Sequence, residues 1–244
     1  MRLLCSCKLP VFSVFRVDSM LKLLPLLSLC IALPAIAQSG LTPLETRWLQ
    51  AGAPVITYAR EQGLPIDIVV QPQEAPNAVP MALGFDGGRC KLVLSMRGNA
   101  QAEAVLQGVS AEQRGLMIEA MTAHEIGHCQ RYAQGNWHAL PAGFVDPAAK
   151  SMGAAELRET RREEAYADLV ALAWMHSRHL ADYGAVLAWM KKVRVRAQEG
   201  GAAGSHATQA WLVLAGGEHA FDGPASLFEQ AQVLWRKGLS GDKG

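Results

Sequence analysis

The chain has 244 residues, a formal net charge of +1 and 18% charged residues. This balance indicates neither a phosphate-binding surface nor an acidic tail, and we expect no nucleic-acid partner. Once a leader is removed, the chain is long enough for one compact domain with a sizeable core, and two full domains are not favoured.

Residues 1–37 are interpreted as an export leader. Residues 23–35 form a short apolar core, and Ala-Ile-Ala at residues 35–37 is the small-x-small pattern that a signal peptidase cuts. The apolar run is shorter than the roughly 20 residues that cross a bilayer. We therefore expect cleavage after residue 37, a domain over residues 38–244 with no stable membrane span, and a periplasmic or secreted location. The lack of apolar periodicity before Met20 favours Met20 as the true start.

Three of the five cysteines fall in the leader, which leaves Cys90 and Cys129 in the mature chain. A lipid anchor at Cys30 is disfavoured because Leu29, directly before it, is large. Two cysteines in an oxidising compartment favour a disulfide. Two separate buried thiols are the alternative, because the sequence does not give the distance that a disulfide requires.

The first half of the mature chain combines a helix with two short strands. Residues 43–62 carry apolar side chains loosely on one face, which predicts a helix that Gly63 ends. Residues 66–70 and 91–96 are β-branched or alternating runs between turn residues, and they predict strands. Residues 72–80, which are rich in proline, predict a loop between them.

The second half predicts helices. A long helix is expected to begin at Ser110, which would form a capping box with Gln113, and to run to Tyr132 before Gly135. After a loop over residues 136–153, four more helices are predicted. They cover residues 154–179, 182–198, 206–214 and 225–237. The predicted fold class is therefore α+β and mainly helical.

The long helix carries the sequence His-Glu-Ile-Gly-His at residues 124–128. Four residues advance a helix by about 400° and ~6 Å, so His124 and His128 project from nearly the same face, where one tetrahedral cation can take both. Glu125 lies about 100° around the helix, where it can reach a water on an open coordination position as a general base. The alternative is a helix with two surface or core histidines that bind no metal.

The third ligand distinguishes the groups of zinc peptidases that share this motif. A metzincin would need glycine at 131 and histidine at 134, but this chain has Arg131 and Gln134. A gluzincin instead takes a glutamate from the next helix, and Glu164 and Asp168 lie on one face at helical spacing. Glu163 is the competing ligand, although it lies five residues before Asp168 and would face differently. A solvated charged face is the alternative to any metal role here.

With these two motifs the sequence resembles the gluzincin metallopeptidases, particularly the branch with a Glu-x-x-x-Asp motif that includes membrane-bound and periplasmic quality-control peptidases. The resemblance covers about residues 90–215 and is specific at the two motifs. It implies a zincin-like fold with a small sheet whose edge strand flanks the metal-binding helix. It further implies Zn²⁺ held by His124, His128 and Glu164. Asp168 would bond the distal nitrogen of a ligating histidine.

The resemblance also implies roles for three residues outside the motifs. Such families use a later histidine or tyrosine to stabilise the oxyanion, and His206 lies where this residue is expected, although Ala207 stands where related enzymes often have proline. The strand that Cys90 opens is similar to the edge strand that pairs with an extended substrate in gluzincins. A bond between Cys90 and Cys129 would tie that strand to the metal helix.

Three functions are compatible with these residues. The leading one is a zinc-dependent endopeptidase that acts on extended or unfolded protein or peptide segments, with Glu125 as general base. A second is a catalytically weak zincin-fold protein that serves in binding or assembly, against which the intact Glu125 argues. A third is a zinc hydrolase of a nonpeptide amide or ester, which the same metal centre could support.

Overall fold

The structure is a computed structural model, and it describes residues 40–72, 79–144, 152–199, 204–223 and 225–242. The predicted leader lies outside the described residues, so its cleavage and the true start of the chain stay predictions. None of the described helices is long and apolar enough to cross a membrane.

The described part of the chain combines α-helices with three strands. In chain order these are α1 (Pro43–Glu61), β1 (Ile66–Pro72), β2 (Met81–Asp86), β3 (Arg89–Arg97), α2 (Ala111–Ala133), α3 (Met152–Arg178), α4 (Tyr183–Glu199), α5 (Gln209–Ala215) and α6 (Leu227–Leu239). Single 3₁₀ turns at Ala104–Leu106 and Leu180–Asp182 precede α2 and α4. This confirms the predicted α+β, mainly helical class.

The strands form one mixed sheet in the order β1-β3-β2. β1 runs parallel to β3, and β2 runs antiparallel to it through a tight turn at Gly87 and Gly88. Both glycines have positive φ, 58° and 75°, which glycine adopts without steric cost. β3 is therefore the central strand, and its predicted place at the edge is wrong because β1 pairs along one side of it and β2 along the other. The edge strand that contacts the helix with His124 and His128 is β2.

Strand β2 is not among the elements predicted from the sequence. Its sequence, Met-Ala-Leu-Gly-Phe-Asp, has no β-branched residue, and Gly84 interrupts the strand signal. Pairing with β3 nevertheless satisfies the backbone groups on one side of this strand, where Met81 lies opposite Leu94 and Phe85 lies opposite Cys90. Tertiary pairing therefore overrides the weak local preference of this segment.

Helix α2 begins directly after Ser110, as predicted, but the predicted capping box with Gln113 is wrong. The Ser110 side chain makes no hydrogen bond to a backbone amide of the helix. At the other end the chain leaves the helix at Gly135 with a φ of 66°, the left-handed conformation that the glycine predicts.

Cys90 of β3 and Cys129 of α2 are joined by a disulfide bond, and both residues are fully buried. The two cysteines are 39 residues apart in sequence. The bond ties the central strand to the residue that directly follows His128. It therefore fixes α2 against the sheet.

We expect the folded protein to contain no free thiol at these two positions. The Cys90→Ala/Cys129→Ala variant should lose about 2–4 kcal/mol of unfolding free energy, as is typical when a native cross-link is removed. Chemical denaturation of the variant and the wild type measures this loss. Mass spectrometry after alkylation of the denatured, non-reduced protein counts the thiols, and alkylation at both positions would contradict the bond.

Candidate metal centre

Helices α2 and α3 come into backbone contact at Gly127. A Cβ atom on Gly127 would lie 2.8 Å from the Cα atom of Ala167. His124 and His128 flank Gly127 on α2, and Glu164 lies about one turn before Ala167 on α3. This close approach therefore brings the glutamate carboxylate to the two imidazoles.

The three predicted ligands converge. The Nε2 atoms of His124 and His128 lie 3.1 Å apart. Oε2 of Glu164 lies 3.5 Å from Nε2 of His124, and Oε1 lies 3.4 Å from Nε2 of His128. A tetrahedral zinc ion with bonds of roughly 2.0–2.1 Å has its donor atoms about 3.3–3.4 Å apart. The spacing of these donors therefore fits such an ion.

Glu163, the competing ligand, faces Arg131 and not the two histidines. Its carboxylate accepts hydrogen bonds from Nε and Nη2 of Arg131 at 2.9 and 2.8 Å. It also accepts one from the backbone N–H of His138 at 2.8 Å. Both members of the ion pair are buried. Glu163 therefore anchors the segment that follows α2, a role that the sequence analysis did not identify.

Asp168 lies behind His124, as the resemblance implies. Its Oδ1 atom is 2.9 Å from Nδ1 of His124, and accepting the Nδ1 proton leaves the Nε2 lone pair free to face the other ligands. Its Oδ2 atom accepts hydrogen bonds from Nε of Arg194 at 2.8 Å and from the hydroxyl of Thr208 at 2.7 Å. Burial raises the pKa of Asp168, but Arg194 and His124 outweigh this and lower it to about 2.

Arg194 is the main residue of the site that the sequence analysis missed. It donates to both oxygens of Asp168 and lies 3.1 Å from Oε2 of Glu164. A signal for it does exist in the sequence. Val186, Met190 and Arg194 follow one another at four-residue intervals on α4 and are all buried, so Arg194 continues an apolar face toward the site.

The pKa values of the two glutamates that line the site shift in opposite directions. Burial raises the pKa of Glu125, against the opposing effect of His124 and His128. Burial also acts to raise the pKa of Glu164, but its hydrogen bond with His128 and the charges of His124 and Arg194 hold that pKa well below its usual range. Glu164 is therefore kept ionised as a ligand requires, while Glu125 is shifted toward the range of a general base.

A cavity of about 480 Å³ opens onto the converging donors. Glu125, Glu164 and Arg194 are among the charged residues that line it. Much of the remaining wall is apolar and comes from β2, α2, α4 and the segment after α2: Met81, Ala82, Leu83, Met121, Trp137, Trp189, Met190 and Val193. The structure thus joins the predicted catalytic residue to a space that can hold a substrate.

His206 also reaches this cavity. Its Nε2 atom lies 3.5 Å from Oε2 of Glu164, and Oγ of Ser205 lies 3.0 Å from its Nδ1 atom. Burial lowers the pKa of His206, which favours the neutral ring at neutral pH. The structure therefore brings all six residues predicted for this site to one cavity: His124, Glu125, His128, Glu164, Asp168 and His206.

Asp168→Ala is expected to lower the unfolding free energy by about 3–5 kcal/mol, because it removes a buried partner of the Arg194 guanidinium. Chemical denaturation in the presence of a chelator measures this loss without a contribution from metal binding. Asp67→Ala is the control, since it breaks an ion pair with Arg89 on the surface, where solvent screens the charges. Equal losses in the two variants would contradict the expectation.

Comparison with known proteins yields no match. No family model matches the chain, and no similar curated protein or solved structure is found. The residues and distances of the metal centre therefore carry the functional proposal.

Proposed function

We propose that the protein is a zinc-dependent endopeptidase of the gluzincin type that hydrolyses extended or unfolded protein segments outside the cytoplasm. The observation that carries the proposal is the convergence of His124, His128 and Glu164 at tetrahedral spacing. These three residues and Glu125 line the same cavity. A cation site with three protein ligands and one open position is typical of catalytic zinc.

His124, His128 and Glu164 would hold the ion. When bound, zinc lowers the pKa of water toward about 7 and polarises a carbonyl group. Glu125 takes the proton of the attacking water and passes it to the leaving amine. The raised pKa of Glu125 suits both transfers, since the carboxyl group must accept and release a proton near neutral pH.

His206 would donate a hydrogen bond to the oxyanion that develops on the attacked carbonyl. If the Ser205 hydroxyl donates to Nδ1, the ring proton stays on Nε2, the nitrogen near Glu164. This proton then points into the cavity, where a preorganised donor stabilises developing negative charge.

The position of strand β2 supports the proposal of an extended substrate and of a zincin-like fold. Met81, Ala82 and Leu83 line the cavity next to α2. Among the described strands β2 pairs with β3 alone, which leaves its other edge available to a peptide in extended conformation. Backbone pairing at this edge would bind substrates with little dependence on their sequence.

The proposal is tested by zinc content and hydrolysis in one preparation. The purified protein should bind one zinc ion and cleave a casein-like unfolded protein, and a chelator should stop the cleavage. Small amides and esters are assayed in parallel. Hydrolysis of these small substrates alone would favour a hydrolase of nonpeptide amides or esters over a peptidase. Bound zinc without any hydrolysis would favour a binding protein.

A further inference from the structure

The two histidines of the metal centre are oriented in different ways. His124 is held by Asp168 through its Nδ1 atom. The Nδ1 atom of His128 is buried and has no hydrogen-bond partner in the part of the chain that the structure describes. A ligating histidine almost always uses its second nitrogen to fix its ring, and the described residues offer the Nδ1 atom of His128 no such partner.

An aromatic ring occupies the neighbourhood of His128. The Trp137 ring lies 5.6 Å from the His128 ring, with an interplanar angle of 69°, in an edge-to-face arrangement. Trp137 stacks in turn on Tyr132, with centroids 3.9 Å apart and planes at 11°. Tyr132 stacks on Phe85 of β2 at 5.2 Å and 9°. We call Phe85, Tyr132 and Trp137 the aromatic stack.

The backbone after Trp137 is anchored by the buried Arg131–Glu163 pair. Glu163 accepts the N–H of His138, and Nη2 of Arg131 donates to the carbonyl of Ala139 at 2.7 Å. His138 has a φ of 61°, a left-handed conformation that a residue with a side chain adopts at a cost. Two buried charged groups therefore hold this segment in one conformation and place the Trp137 ring.

We propose that Trp137 is a positioning residue for His128. Its ring would orient the His128 imidazole, as the carboxylate of Asp168 orients that of His124. The aromatic stack and the Arg131–Glu163 pair fix the ring, and the ring limits rotation of the His128 imidazole. Rotation would carry Nε2 away from the donors of His124 and Glu164. This inference depends on the metal site of the proposed function.

The test compares zinc affinity among four metal-free proteins by competition with a chelating dye. Trp137→Ala should bind zinc roughly 10–100-fold more weakly than the wild type, which is the loss typical when a residue that orients a metal ligand is removed. Trp137→Phe retains a flat ring and should recover most of this loss. Trp189→Ala is the matched control, since Trp189 lines the same cavity and donates its ring N–H to the Val105 carbonyl; it should bind zinc like the wild type.

A second readout separates positioning from general stability. With Co²⁺ in place of zinc, the visible absorption bands should change in Trp137→Ala and stay unchanged in Trp189→Ala, because the bands report ligand geometry. If Trp137→Ala does not fold, Trp137→Leu keeps most of the bulk without a flat ring. Trp137→Leu is then compared with Trp137→Phe, and equal affinities would overturn the inference.

The outcomes distinguish this inference from the proposed function. Zinc binding that is as tight in Trp137→Ala as in the wild type, with unchanged cobalt bands, overturns the role of Trp137 and leaves the peptidase proposal standing. A folded wild type that binds no zinc overturns both. Equal weakening in Trp137→Ala and Trp189→Ala would show that the cavity wall acts only through stability, and this too overturns the inference.

Discussion

Glu164→Ala is expected to abolish stoichiometric zinc binding while the protein stays folded. The substitution leaves two histidines as the only donors of the cluster. Removing a residue that merely orients a metal ligand typically weakens metal affinity by roughly 10–100-fold, and the loss of a ligand itself should exceed this. The fold should survive because Arg194 keeps its hydrogen bonds to Asp168. Elemental analysis after gel filtration measures the zinc content, and circular dichroism of the same sample checks the fold.

Glu163→Ala is the matched control for this prediction. Its zinc content should stay near one ion per chain, with at most a moderate loss of affinity through the segment that places Trp137. Its unfolding free energy should instead fall by about 3–5 kcal/mol, because Arg131 is left buried without its counter-charge. The opposite result, zinc lost in Glu163→Ala and kept in Glu164→Ala, would exchange the two glutamates as ligands.

Glu125→Gln is expected to keep zinc and lose cleavage. The amide has the shape of the carboxylate but accepts no proton at neutral pH, so kcat/KM should fall by about 10²–10⁴-fold, the usual contribution of a general base. Zinc content and the affinity for an unfolded protein substrate should stay near the wild-type values. Steady-state kinetics and elemental analysis on the same preparation measure both quantities.

Glu112→Gln serves as the control for Glu125→Gln. Glu112 lies in the first turn of the same helix and is exposed, so its substitution should leave kcat/KM unchanged. Wild-type activity in Glu125→Gln would end the proposed role of this residue. A loss of zinc together with activity would instead assign Glu125 to holding the metal.

The local parts of the site could be predicted from the sequence, because helical spacing alone places His124, His128, Glu164 and Asp168 on their faces. The direction in which Glu163 points follows from the same spacing. These relations involve residues on one helix, whose geometry is fixed by the backbone. The helix that carries the first motif, Ala111–Ala133, has nearly the predicted bounds for this reason.

The long-range parts could not be predicted in the same way. Arg194 and Thr208 reach Asp168 from 26 and 40 residues away, and the sequence does not state which carboxylate they pair with. The place of β3 in the sheet depends on β2, a strand with a weak signal of its own. Which side chains reach Asp168 and which strands flank β3 are decided by the packing of whole helices and strands.

The contact at Gly127 gives one spacer position of the motif an unexpected constraint. In His-Glu-x-x-His the two inner positions are nominally free, but here a methyl group at 127 would collide with the neighbouring helix at Ala167. The collision would wedge α2 and α3 apart and widen the gap between Glu164 and the imidazoles. A single carbon atom that takes no part in the reaction would thereby set whether the ion fits.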